Sequence, residues 1–197
     1  MAKSICVFSA SSNAVGTPFF ALAEELGAAL ARRGHVLVYG GTNIGLMGAM
    51  ARAAQQHGGK VVGVIPAFIA KLGLAYERAD ELIVTNDMRQ RKATMEARSD
   101  AFLALPGGFG MLEELLEVIT LKQLRQHIKP VVLLNCGGYY DPLSAFFEHM
   151  YQQGFAKPAY RQMYHFAGDI GQALAYFDQY QPAALPQLPC KWSAATS

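Results

Sequence analysis

Short apolar runs, each followed by a stretch of helical periodicity, recur along the chain. The runs are SICVFS (4–9), HVLVYG (35–40), KVVGVIP (60–66), ELIVT (81–85), AFLALP (101–106), PVVLLN (130–135) and YHFA (164–167). Most are apolar on consecutive residues instead of alternating, the pattern of strands covered on both faces. Helical patterns lie between them: Phe19 to Arg33 closing on Gly34, Leu46 to His57, Met88 to Arg98 behind the N-cap candidate Asp87, Leu112 to Gln126, Pro142 to Gln153 and Ile170 to Tyr180. Strict alternation of this kind predicts an α/β fold: a single-domain, Rossmann-like, doubly wound parallel sheet of about seven strands with helices on both faces. Residues 1–180 are assigned to that domain, and residues 181–197, with three prolines, to an irregular tail.

The apolar fraction of 52% against 16% charged residues excludes a disordered chain. Basic and acidic side chains, 17 and 15, are spread without a basic block, so neither nucleic acid nor an anionic membrane is expected as a partner. The N-terminal apolar run is too short for a signal peptide, and no segment reaches the ~18 consecutive apolar residues of a membrane span. A cytoplasmic protein is expected. Cys6, Cys136 and Cys190 form no CxxC pair; Cys6 and Cys136, in or beside apolar runs, read as buried reduced thiols, and the five histidines show no paired spacing, so no metal is expected.

In a doubly wound sheet ligands bind at the carboxyl ends of the strands. Four segments there can carry chemistry. PGGFGMLEE (106–114) places Gly107, Gly108 and Gly110 ahead of a helix expected to begin near Met111. Bare backbone and free helix N–H groups make an anion cradle; a tight strand-to-helix turn needs the same glycines. Leu112, Leu115, Leu116 and Ile119 share one helical face, which puts Glu114 nearly opposite, toward a cleft or an interface. Its place at a helix start is expected to keep it ionised, whether it acts in chemistry or complements the dipole. TNDMRQRK puts Arg89, Arg91 and Lys92, with Arg98 further on, along a helix whose start opposes cations, pointing either to an anionic partner or to a solvated face. GGTNIGLMG (40–48) is neither the dinucleotide GxGxxG fingerprint nor a Walker loop, and forms a second glycine-rich connection.

GGTNIGLMG, MRQRK and PGGFGMLEE, in that order, resemble the motifs GGGxxGLMG, MxxRK and PGGxGTxxE of the LONELY GUY (LOG) family. The similarity runs from about residue 4 to 175 and includes ELLEVITLKQL and KPVVLLNCGGYYDPL. It implies hydrolysis of the N-glycosidic bond of cytokinin riboside 5'-monophosphates or AMP, giving free base and ribose 5-phosphate without a cofactor. It implies Arg91 and Glu114 as the catalytic pair. Lys92, Gly107, Gly108, Gly110, Met111 and Thr120 are implied at the substrate, together with Ser9, Gly41, Thr42, Gly45 and Met88 on neighbouring loops. A homodimer is expected. Related proteins often carry the label lysine decarboxylase, but nothing in this sequence forms a pyridoxal phosphate site. The alternative is a non-catalytic nucleotide or sugar-phosphate binder on the same scaffold.

Within PGGxGTxxE one position departs: Met111 stands where the family has threonine. A lost hydroxyl bond to a charged phosphate is worth roughly 1.5–3 kcal/mol. Ser9, Ser11, Ser12 and Thr42 are placed to compensate. Restoring threonine is expected to lower the Michaelis constant.

Overall fold

In the computed structural model, residues 2–182 are described; the tail assigned to 181–197 lies outside them beyond Pro182. Seven parallel strands form one sheet: β1 (Ser4–Phe8), β2 (Val36–Tyr39), β3 (Val61–Pro66), β4 (Glu81–Thr85), β5 (Ala101–Ala104), β6 (Val131–Leu134) and β7 (His165–Ala167). Their order is β4-β3-β2-β1-β5-β6-β7. The chain winds outward from β1 in one direction and then in the other, so β1 and β5 flank the switch point where such sheets open a crevice. β1 pairs β5 with Ile5 opposite Ala101 and Phe8 opposite Ala104. The predicted strands hold to within a residue or two at each end.

The connecting helices are α1 (Thr17–Arg32), α2 (Gly45–Gln56), the short α3 (Ala67–Ala70), α4 (Met88–Ala97), α5 (Phe109–Gln123), α6 (Asp141–Gln152) and α7 (Ile170–Gln179). Asp87 caps α4 as expected, accepting from Gln90 N–H at 2.8 Å. Gly34 ends α1 in the left-handed region at φ 70°. α3 and two 3-10 turns, Cys136–Gly138 and Pro158–Met163, lack a periodic signal and are not foreseen in the sequence. Two apolar clusters sandwich the sheet. One holds Ile5, Val7, Leu37 and Leu103 with α1, α2 and α7; the other holds Cys6, Phe8, Phe102 and Leu133 with α4 and α5. Strand residues alternate between the clusters, so the continuous apolar runs serve both faces. Cys6 is fully buried as expected, whereas Cys136, expected to be buried too, is partly exposed.

α5 departs from its predicted phase. It begins two residues earlier, at Phe109, and its buried residues are Met111, Glu114, Leu115, Val118 and Lys122. Leu116 is 43% exposed. The leucines therefore split between the sheet and an outer apolar strip, and Glu114 lies on the inner face rather than opposite it. Two groups inside explain the choice: Arg91 meets Glu114, and Met163 meets Lys122.

Lys122 is 3% exposed, donates to the Met163 carbonyl at 2.9 Å and lies 4.9 Å from the Tyr180 ring centre. Burial pulls its ammonium down from 10.5 to about 8. The folded chain then binds fewer protons than the unfolded one between those values. Stability rises with pH across that window, and the gain is lost on acidification through 8. At neutral pH the buried charge costs roughly 3 kcal/mol. Lys122→Met is expected to raise the melting temperature by a few degrees at pH 7, net of the lost hydrogen bond. Melts at pH 7 and pH 10.5 should then differ less for the variant than for the parent chain.

Candidate active site

A cavity of about 520 Å³ opens over the carboxyl ends of the central strands, a size suited to a nucleotide-like ligand. Each wall follows one strand. Ser9 to Ser12 come after β1, Thr42, Ile44 and Met47 after β2, Ile69, Leu72 and Leu74 after β3, Met88 and Arg91 after β4, and Gly108 to Met111 with Glu113 and Glu114 after β5. Ile44, Met47, Ile69, Leu72 and Leu74 supply its apolar lining; the hydroxyls, the glycine loop, Arg91 and the carboxylates supply its polar lining.

Arg91 and Glu114 meet within the polar lining. Arg91 Nη1 lies 2.5 Å from Glu114 Oε1, and the two side chains are 7% and 8% exposed. Arg91 Nε donates to the Val64 carbonyl at 3.1 Å, tying the guanidinium to the end of β3. Gly40 is the seat of that guanidinium: a Cβ there would lie 2.1 Å from Arg91 Nη2. Burial pushes the Glu114 carboxyl above its ordinary value, and the Arg91 charge works the other way. The helix start expected to keep Glu114 ionised is thus joined by two nearer influences, desolvation acting against the charge and Arg91 acting for it.

The basic cluster at the start of α4 also reads differently in three dimensions. Lys92 Nζ pairs with Glu113 and with Glu117, at 2.9 Å for the latter, and Arg98 pairs with Glu81. Protein carboxylates take up these cations. Arg89 alone of the four forms no ion pair among the described residues.

The glycine loop after β5 presents an open backbone. A Cβ at Gly108 or Gly110 would meet nothing within 4 Å, and the helix starting at Phe109 directs its free N–H groups there. Ser9, a wall of the same cavity, is 4% exposed, and its buried hydroxyl has no hydrogen-bond partner among the described residues. A buried hydroxyl without a partner marks a place for a ligand atom or water.

Of the residues predicted at the site, Arg91, Glu114, Gly108, Gly110, Met111, Ser9, Thr42 and Met88 line this cavity. Lys92 lines a smaller cavity between α4 and α5. Gly107 lies behind the loop, where its carbonyl accepts from Tyr139. Gly41 supports the β2 connection at φ 74°, with its carbonyl accepting from Tyr76 N–H at 2.9 Å. Gly45, at φ 59°, begins α2 and donates to Asn13 Oδ1 at 2.8 Å. Thr120 is exposed further along α5, its hydroxyl donating to the Leu116 carbonyl at 2.7 Å. The apolar lining of Ile44, Met47, Ile69, Leu72 and Leu74, drawn from the β2–α2 connection, the first turn of α2, α3 and the segment after it, went unforeseen.

Met111 explains its departure from the motif. Its side chain is 3% exposed and packs into the cluster of Phe8 and Tyr140, with Sδ 3.3 Å from Tyr140 Oη. Its backbone still faces the cavity. Met111→Thr is expected to lower the Michaelis constant for a nucleoside 5'-monophosphate several-fold. It should also cost about 2 kcal/mol of stability, through the cavity left beside Tyr140. Steady-state kinetics and a melting curve on the same sample read both effects.

A doubly wound parallel sheet with a hydroxyl- and glycine-lined cavity at its switch point defines a Rossmann-like α/β protein whose crevice suits an anionic ligand. Residues 47–177 match the family model described as possible lysine decarboxylase. The chain is 48% identical over 174 residues to the cytokinin riboside 5'-monophosphate phosphoribohydrolase of Rhodococcoides fascians, covering 88% of each. It is 46% identical to a probable enzyme of that name from Oryza sativa subsp. japonica, over 91% of this chain and 73% of that one. Against one from Arabidopsis thaliana the figures are 43%, 91% and 84%. The chain belongs to this LOG family of phosphoribohydrolases. Among solved structures it resembles the molybdenum cofactor carrier protein of Chlamydomonas reinhardtii, with a TM-score of 0.69, 25% identity and coverage of 91% and 98%. The molybdenum cofactor binding protein from Rippkaea orientalis, at 23% identity and a TM-score of 0.69, shares the fold. No lysine lines the main cavity among the described residues. The decarboxylase label therefore finds no amine there for a Schiff base to pyridoxal phosphate.

Proposed function

We propose that this chain hydrolyses the N-glycosidic bond of cytokinin riboside 5'-monophosphates and of AMP, releasing the free base and ribose 5-phosphate. The observation that carries the reading is the buried Arg91–Glu114 pair beside an open helix N-terminus, in a chain up to 48% identical to phosphoribohydrolases.

The chemistry follows from the residues. As the bond from the anomeric carbon to the base nitrogen lengthens, positive charge grows on the ribose and negative charge on the base. A carboxylate beside the ribose stabilises the first and holds the attacking water. Arg91 engages Oε1 of Glu114, and among the described residues no other hydrogen bond is made to that carboxylate. Oε2 is thus left for water or the anomeric carbon. The Arg91 guanidinium, always protonated, offsets charge on the departing base. The phosphate rests on the Gly108–Met111 backbone and the Ser9 hydroxyl. The apolar wall of Ile44, Met47, Ile69, Leu72 and Leu74 receives the base and any N6 hydrocarbon chain.

No helix among the described residues is long and apolar enough to cross a membrane. We take the working form to be a cytoplasmic homodimer. Leu116, Leu124 and Ile128, at 43%, 46% and 64% exposed, support an apolar contact surface along and beyond α5. A solution mass near twice 21.4 kDa is expected.

Initial rates with AMP, isopentenyladenosine monophosphate and the corresponding nucleosides test the reading. Both monophosphates should release base, and the nucleosides should be cleaved orders of magnitude more slowly. Equal rates for nucleoside and monophosphate would remove the phosphate cradle from the account. Tight binding of all with no release would favour a carrier.

A further inference from the structure

Two consecutive tyrosines from the β6–α6 connection grip the glycine loop from behind. Tyr139 Oη donates to the Gly107 carbonyl at 2.7 Å, and Tyr140 Oη donates to the Leu105 carbonyl at 2.6 Å. The left-handed glycines Gly137 and Gly138, at φ 65° and 75°, turn the chain so that both rings face the loop. The Asn135 side chain fixes that turn, accepting from Tyr140 N–H at 2.6 Å and donating to Asp141 at 2.7 Å. Neither tyrosine lines the main cavity.

The two hydrogen bonds have different consequences. A trans peptide is planar, so a C=O and the N–H of the next residue point in opposite directions. Holding the Gly107 carbonyl back toward Tyr139 therefore aims the Gly108 N–H the other way. Gly108 is a wall of the main cavity. Because this peptide joins two glycines, its rotation meets little steric resistance. The peptide after Leu105 ends on Pro106, which has no N–H to aim. Tyr140 thus anchors the strand end, and Tyr139 sets the direction of a donor.

We propose that Tyr139 is a positioning residue for substrate phosphate, acting by locking the Gly107–Gly108 peptide with its N–H turned into the cavity. This rests on the phosphate reading of the site given above. Tyr139→Phe removes only the hydroxyl and keeps the ring against Phe19 at 5.8 Å and Tyr140 at 5.1 Å.

The variant is expected to raise KM for AMP about fivefold to tenfold, and the inhibition constant of ribose 5-phosphate by the same factor. Its kcat should stay within about twofold, and inhibition by adenine should not change. Tyr140→Phe serves as the structural comparison: it should lower the melting temperature more and move the ribose 5-phosphate constant less. A Tyr139→Phe enzyme with unchanged KM, or with adenine weakened as much as ribose 5-phosphate, overturns the proposal. A wild-type chain that ribose 5-phosphate does not inhibit, even at millimolar concentration, removes the phosphate reading itself and the role of Tyr139 with it.

Discussion

Glu114→Gln is expected to lower base release from AMP on the order of a thousandfold while the chain stays folded. Glutamine keeps the volume, and its amide oxygen can still accept from Arg91 Nη1, now 2.5 Å from the carboxylate. What disappears is the negative charge that faces the ribose as it turns cationic. The wild-type rate should itself report this group. Burial raises the Glu114 carboxyl, so activity must fall on acidification through a value above the ordinary carboxylate range. The sign for stability is opposite. A carboxyl with a raised folded-state pKa favours the fold below its unfolded pKa, and that contribution is lost as pH rises through the folded value. An acid limb of kcat/KM in wild type, with stability less dependent on pH in Glu114→Gln, would meet both expectations. Full activity in the variant would take Glu114 out of the chemistry.

Arg91→Ala should be the more damaging change to the fold. It leaves a carboxylate that is 8% exposed without its partner, a loss of about 3–5 kcal/mol when one member of a buried pair is removed. A drop in melting temperature of roughly 10 °C is expected for a domain of this size. Base release should fall by at least about a hundredfold at temperatures where the variant remains folded. The double variant Arg91→Ala/Glu114→Ala separates the two effects. Removing the orphaned charge should restore much of the stability and none of the activity. Recovery of activity in the double variant would mean that the pair is only a structural tie between α4 and α5.

The sheet could be read from the sequence because parallel strands buried on both faces leave continuous apolar runs, as in AFLALP and PVVLLN. The topological consequence followed as well: the glycine-rich segments after β2 and β5 do meet over one cavity. The phase of α5 did not. Its leucines satisfy two apolar faces at once, and which face turns inward is decided by Arg91 and Met163, far away in sequence. For the same reason Glu114, expected off the core toward a cleft or an interface and ionised, does line the cavity but is itself buried, with its carboxyl raised. The basic residues of α4 pointed either to an anionic partner or to a solvated face, and of them Lys92 is held by Glu113 and Glu117. Gly40 as the seat of Arg91 and Tyr139 as the tie on Gly107 leave no local pattern at all, because each acts on a residue in another segment.

The most direct test of the account is to incubate the purified chain with AMP and with isopentenyladenosine monophosphate, and to quantify base and ribose 5-phosphate separately by chromatography. The two products are expected in equal amounts over many turnovers, with no release from the Glu114→Gln chain beyond the uncatalysed background. Saturable binding of either nucleotide with no base released by the wild-type chain would contradict it.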